Sequence, residues 1–212
     1  MIICFSSLKG GCGKTSLSIH LAHEIAKSGP RVLLIDADPQ GSASDWNASR
    51  EDKPLFSVIG MAQPTIHRDL PDLAKDYDHV VIDSPPRVAK IARSGIIASN
   101  LVLIPVTPSS YDVWAADETV EIIGEAQLTR PDIKGAFVVN RKIVNTSIGR
   151  EVATALKEYD LPLLKTAINQ RVVISEASNG STAQELEPTG KAANEIRLMA
   201  LDILRLMEVE QW

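Results

Sequence analysis

The stretch Lys9-Gly10-Gly11-Cys12-Gly13-Lys14-Thr15-Ser16 constrains this chain more than any other. An apolar run, Met1 to Phe5, precedes it and reads as a buried strand. Leu17, Ile19, Leu21, Ala22, Ile25 and Ala26 follow it at the spacing of a helix core face. A glycine-rich loop between strand and helix lets the backbone turn its N–H groups inward around a phosphate. The helix start adds unpaired N–H groups and the positive end of its dipole. In such a loop Lys14 supplies a point charge to the β and γ phosphates, and Thr15 a hydroxyl ligand to Mg²⁺. The strict pattern G-x-x-x-x-G-K-[ST] fails, because Leu8 stands where its first glycine should be. In its place a second lysine, Lys9, directly precedes Gly10. A glycine turn with no ligand is the alternative; three glycines, two lysines and a threonine in this context weigh against it.

At 212 residues the chain is long enough for a substantial core, and residues 1–212 read as a single domain. The net charge of −5 argues against wholesale coating of nucleic acid and leaves a local basic patch open. No apolar run approaches the roughly 18–20 residues of a membrane span. No basic segment leads into an apolar core and cleavage site, so the expectation is a cytoplasmic protein. Cys4 and Cys12 are the only cysteines, which disfavours a disulfide framework or a metal cluster. His20 and His23, three apart on the first helix, read as partly exposed helix residues rather than metal ligands.

Further apolar runs alternate with helical patterns. Strands are expected at Arg31–Ile35, Leu55–Ile59, His79–Ile82, Leu101–Val106, Gly135–Asn140 and Leu161–Leu164. Helices are expected at about Lys14–Ser28, Pro64–Lys75, Val88–Ala98, Val113–Leu128, Ile148–Tyr159 and Thr189–Glu208, with a turn at Thr107–Asp112. Gly41–Ser49 is a polar loop or short helix, and Ala167–Ser178 stays ambiguous because of its β-branched Val172, Val173 and Ile174. This alternation implies an α/β fold, a mainly parallel sheet with helices on both faces. Two strands end in acids: Asp36-Ala37-Asp38-Pro39 after one, Asp83-Ser84-Pro85-Pro86 after another. Ligands gather at such carboxyl ends. An apolar run closing in Asp is the Walker B pattern, whose Asp holds a Mg²⁺-bound water. A plain acidic strand-to-loop turn is the alternative for Asp83.

Three segments together carry a family resemblance. Lys9 to Thr15 resembles the deviant Walker A motif of the ParA/MinD ATPases, Asp36 to Gly41 their second motif, and Val80 to Pro86 their Walker B. Ile104–Ser109 and Thr166–Arg171 look like segments of short plasmid-partition members such as ParF. The resemblance implies a P-loop NTPase of the deviant Walker A class that uses ATP and Mg²⁺. It implies nucleotide contacts from Lys9, Gly10, Gly11, Cys12, Gly13, Lys14, Thr15 and Ser16, with adenine near Asn140. Lys9, Lys14 and Asp38 would be catalytic: Lys9 reaches the partner's nucleotide in an ATP-bound homodimer, and Asp38 orients the attacking water. Thr15, Asp36 and Asp83 would support the metal. Cys12 and Ser84 depart from the residues more usual at their positions in the family.

The same resemblance implies non-specific DNA as a partner, a nucleoid-associated location and a small DNA-binding protein that stimulates hydrolysis. Residues 130–172 hold eight basic and four acidic residues, a local surplus of positive charge in a negative chain. Arg150, Lys157 and Arg171 are the candidate DNA contacts, and a solvated face of mixed charge is the alternative. Plasmid or chromosome partition follows as the expected function. A protein-cluster cargo is an open alternative. A MinD-like membrane cycle is disfavoured, because residues 173–212 carry three basic and seven acidic residues where an amphipathic basic helix is needed.

Overall fold

The computed structural model describes residues 1–109, 114–144 and 148–212, with the backbone alone for 148–151. Six strands form one parallel sheet: β1 (Ile2–Phe5), β2 (Val32–Asp36), β3 (Ser57–Gly60), β4 (His79–Asp83), β5 (Leu101–Val106) and β6 (Lys134–Val139). Their order is β3-β2-β4-β1-β5-β6, which puts the strand feeding the glycine loop near the middle. The helices are α1 (Lys14–Lys27), α2 (Ser42–Ala48), α3 (Ile66–Leu73), α4 (Ala89–Ala98), α5 (Asp117–Gln127), α6 (Ile148–Ala155), α7 (Val172–Glu176), α8 (Ala183–Leu186) and α9 (Lys191–Met207).

The inner strands are apolar throughout because both faces are covered. Residues of one parity, Ile3, Phe5, Leu34, Val81, Leu103 and Val138, pack with Leu17, Leu21 and Ile25 of α1 and Ile196, Met199 and Ile203 of α9. The opposite parity divides into two clusters. Cys4, Leu33, Ile35, Val80 and Ile82 meet α3 and α4, while Val102, Ile104, Phe137 and Val139 meet α5. The outer strand β3 is only partly buried.

Several elements differ from the sequence reading. The expected strand at Leu161–Leu164 is reduced to one bridge, Phe137 with Leu163. Pro162 lies inside it and has no N–H to give to a ladder; it offers only its carbonyl, to Phe137 N at 2.8 Å. Residues 172–176 are helical despite three β-branched side chains, since Val173 is buried among Ala183 and Ala192. The helix expected from Val113 is described from Asp117, and the expected turn at Thr107–Asp112 lies partly outside the described residues. The helix expected to reach Tyr159 stops at Ala155 and continues as a 3₁₀ turn, Leu156–Glu158.

His20 and His23 are not partly exposed; each is 3% exposed. The segment Thr182–Gln184 lies across them. His20 Nδ1 donates to Ser16 O at 2.6 Å, while its Nε2 accepts from Ala183 N at 3.1 Å. A carbonyl can only accept and an amide N–H can only donate, so this ring is neutral with its proton on Nδ1. Gln184 Nε2 donates to His20 O at 2.8 Å, and His23 Nδ1 lies 3.1 Å from Thr182 Oγ1.

Burial holds both imidazoles below their ordinary range, His23 at about 4, with Glu185 partly opposing the shift. In the unfolded chain these rings gain protons below about pH 6.5. The fold therefore binds fewer protons between pH 6.5 and 4. Its stability from His23 is complete above that window and is lost as pH falls through it, by roughly 3 kcal/mol. We predict that urea midpoints at pH 7.5 and 5.0 differ more for the parent than for His23→Gln. Comparing the two proteins cancels other groups that titrate in the window; identical pH responses would remove His23 from the account.

Candidate functional site

The strand register assembles the site. Phe5 pairs with Asp83, and Asp83 with Asp36. All three share the parity of Leu34 and Val81, so both carboxylates fall on the sheet face that α1 covers. Asn140 follows Val138 by two residues and shares that face. Ala37 N donates to Asp83 O at 3.0 Å and Ser84 N to Phe5 O at 3.1 Å, which ties the three strand exits together.

The glycine loop leaves Phe5 at this edge. Gly13 is the N-cap of α1 with φ of 93° and ψ of 25°, a left-handed conformation that a side chain strains. Lys14 is buried, and its Nζ donates to Lys9 O at 3.0 Å, so the loop curls around its own lysine. Cys12 is buried with its thiol free of any disulfide, while Gly10 and Gly11 are exposed. Lys9, Thr15 and Ser16 are partly exposed. Asn140 Nδ2 donates to Cys12 O at 2.8 Å. A Cβ at Gly13 would lie 2.1 Å from that same nitrogen.

The two strand-end carboxylates live in opposite conditions. Asp36 is saturated: Oδ2 accepts from Ser44 N and Ser44 Oγ, both at 2.8 Å, and Oδ1 accepts from Asp38 N at 3.2 Å. Asp83 is fully buried, and among the described residues neither of its oxygens has a well-aligned hydrogen-bond partner. Burial pushes its carboxyl up to about 7; the Thr15 hydroxyl nearby works against that shift and Asp36 adds to it. A buried, unpartnered carboxylate is costly unless a cation compensates it. Beside the Thr15 hydroxyl and a phosphate loop, these donors fit a hydrated Mg²⁺, which takes one or two carboxylates and fills its shell from phosphate and water. Among the described residues no cluster of three His, Cys, Asp or Glu offers an all-protein metal cage.

Asp38 is partly exposed, and its Oδ1 accepts from Gln40 N at 3.0 Å. The N-cap of α2 is Gly41, without a side-chain cap, so Asp38 does not cap the helix that follows it. From Gly13, Thr15 and Ser16 a cavity of about 620 Å³ runs past Asn140 to Asn169, Gln170 and Arg171, with Trp46 and Ile174 among its walls. That volume is ample for a nucleotide-sized ligand.

Two of the three candidate DNA contacts can be placed, and they sit in different surroundings. Lys157 is exposed on the 3₁₀ turn, whereas Arg171 lines the cavity and pairs with Glu195. The side chain of Arg150 lies outside the described residues. The sequence reading missed Ser44 and Glu195. Ser44 signals only through its place in the first turn of a helix beside an acidic loop, and Glu195 carries no local signal on a helix marked by its apolar stripe.

Gly13→Ala should cost about 1–3 kcal/mol of stability through its backbone conformation alone. It should also push Asn140 off Cys12 O and deform the loop. We expect lost binding of fluorescent ATP and a lowered urea midpoint. Asn140→Ala in the same protein should recover part of the stability; no recovery would locate the clash elsewhere.

Comparison with known proteins agrees with this fold. The model of the CobQ/CobB/MinD/ParA nucleotide binding domain matches residues 3–182. The "Maintenance of carboxysome distribution protein A" of Halothiobacillus neapolitanus is 32% identical over 207 residues, covering 95% of each chain. The "Sporulation initiation inhibitor protein Soj" of Bacillus subtilis is 27% identical, covering 91% of this chain and 93% of its own. Among solved structures, the septum site-determining protein MinD of Pyrococcus horikoshii, complexed with Mg-ADP, superposes with a TM-score of 0.78 at 19% identity, covering 97% of this chain and 96% of its own.

Proposed function

The chain belongs to the CobQ/CobB/MinD/ParA nucleotide-binding family and is a Mg²⁺-dependent ATPase of its ParA/MinD kind, and we propose that it positions a protein assembly. The observation behind this cargo is the 32% identity, along 95% of both chains, with a protein named for carboxysome distribution. The sequence reading set plasmid or chromosome partition first and short plasmid-partition proteins nearest. The Soj relative keeps that reading alive at lower identity, but the carboxysome relative favours the protein-cluster alternative.

In this reading ATP drives dimerisation, and the dimer holds non-specific DNA as a track through Lys157 and its neighbours. A partner protein on the cargo stimulates hydrolysis and release. The loop N–H groups and Lys14 bind the β and γ phosphates, and Lys9 contacts the nucleotide of the second copy. Asp38 orients the attacking water, a positioning role more than strong base catalysis. Mg²⁺, carried on Thr15 and the Asp83 side of the site, supplies charge neutralisation of the phosphates. Asp36 is held by Ser44 so that the turn bearing Asp38 keeps its place. Asn140, anchored to the loop and lining the cavity between the loop and residues 169–171, would contact the adenine.

Deleting the gene in its native host while imaging protein clusters and following plasmid retention tests the cargo. Lost cluster spacing with normal retention is the expected result; plasmid loss with clusters undisturbed would restore the partition reading.

Two variants test the chemistry together by light scattering and turnover. Asp38→Ala should bind ATP and dimerise yet turn over at least about a hundredfold more slowly, leaving a trapped dimer. Lys9→Ala should lose dimerisation more than ATP affinity. Normal turnover by Asp38→Ala, or normal dimer mass for Lys9→Ala, would remove those assignments.

A further inference from the structure

The far end of the cavity is built on one carboxylate. Glu195, on α9, accepts four hydrogen bonds from the segment 169–171. Asn169 gives its backbone N–H to Oε2 at 3.0 Å and its Nδ2 to Oε1 at 2.6 Å. Arg171 gives Nε to Oε2 at 3.1 Å and Nη2 to Oε1. The Glu195 side chain is only 12% exposed. Burial alone would raise its pKa, but the Arg171 and Asn169 bonds prevail and hold it below the ordinary range.

The other side of the segment is fixed as well. Lys142 N donates to Ile168 O at 3.0 Å and Gln170 N to Lys142 O at 2.9 Å, which binds it to the chain just beyond Asn140. Residues 169–171 are therefore a wall clamped between Lys142, in the segment that follows β6, and Glu195, and the cavity lies against that wall. Phosphates held at Gly13, Thr15 and Ser16 leave the base to occupy this opposite end.

We propose that Glu195 is a positioning residue for base recognition: it fixes the Asn169–Arg171 wall in the shape that selects the purine of the bound nucleotide. This rests on the ATPase reading above. It also gives Arg171 a task in the nucleotide cavity in place of a DNA contact. The carboxylate touches no reacting atom, so its removal should act on affinity and selectivity before rate.

The test compares the parent with Glu195→Ala, Glu195→Gln and Arg171→Leu. Readouts are the affinities for fluorescent ATP and GTP, the KM and kcat of hydrolysis, and a thermal melt. Loss of charge-assisted bonds around the wall should raise Kd and KM for ATP roughly tenfold in Glu195→Ala, with a smaller change in kcat and a lower preference for ATP over GTP. Glu195→Gln retains a carbonyl acceptor and should recover part of the affinity. Combining Glu195→Ala with Arg171→Leu should add little to either alone.

Parent-like affinity and base preference in Glu195→Ala would overturn the proposal. So would a fall in kcat with unchanged KM. If Glu195→Ala does not fold, Glu195→Gln decides: unchanged KM and selectivity in that folded protein counts against the role. A parent chain that binds no nucleotide would overturn the ATPase reading itself. A parent that binds ATP while the variants match it would overturn this inference alone.

Discussion

Everything at the functional edge depends on the register that sets Asp36 against Asp83 and Asp83 against Phe5. Parallel strands begin and end in step, so their carboxyl ends open onto one edge. Side-chain alternation then decides which face each acid takes. A slip of one residue in β4 would turn Asp83 to the α3–α4 face and bring Ser84 or Ile82 into its place. The apolar residues of β4 prevent this: Val80 and Ile82 fit one layer and Val81 the other. The core thus supplies the precision of the site.

The site is supported from outside the sheet as well. Trp46 of α2 donates its indole N–H to Ala177 O at 3.1 Å and Ser181 O at 2.8 Å, and its ring stacks on Phe56. Arg50 reaches Gly180 O at 3.0 Å and pairs with Glu185. The segment joining α7 to α8 therefore grips α2, whose first turn carries the Ser44 that secures Asp36. The neutral His20 binds the same region to α1, one turn beyond the glycine loop. Both elements that would close on a phosphate share one polar buttress.

How much of this was legible followed from range. The glycine loop, the acidic strand ends and the alternation of strand and helix are local patterns, and each lies where the sequence put it. The Leu161–Leu164 strand misled because its apolar run outweighed the missing N–H of Pro162. Charge counting in residues 130–172 cannot see Glu195, 24 residues from Arg171, pair with it. The histidines read as partly exposed because the segment that covers them is about 160 residues distant in the chain. Periodicity reports which face of a helix is apolar; it is silent on which polar side chains a remote loop will bury.

The two margins of the sheet are unlike. Beyond β6, the 162–164 backbone already takes up hydrogen bonds with Phe137, and Pro162 has no N–H of its own to pass outward. Beyond β3, no strand pairs with Ser57–Gly60 among the described residues, and both ends of that strand are exposed. Unpaired backbone at a margin is a template for another chain. Strand addition, whether as an ordered filament or as misassembly during folding, therefore meets an open margin at β3 and an occupied one at β6. The brevity of β3, four residues ending in glycine, limits how much ladder such an addition gains.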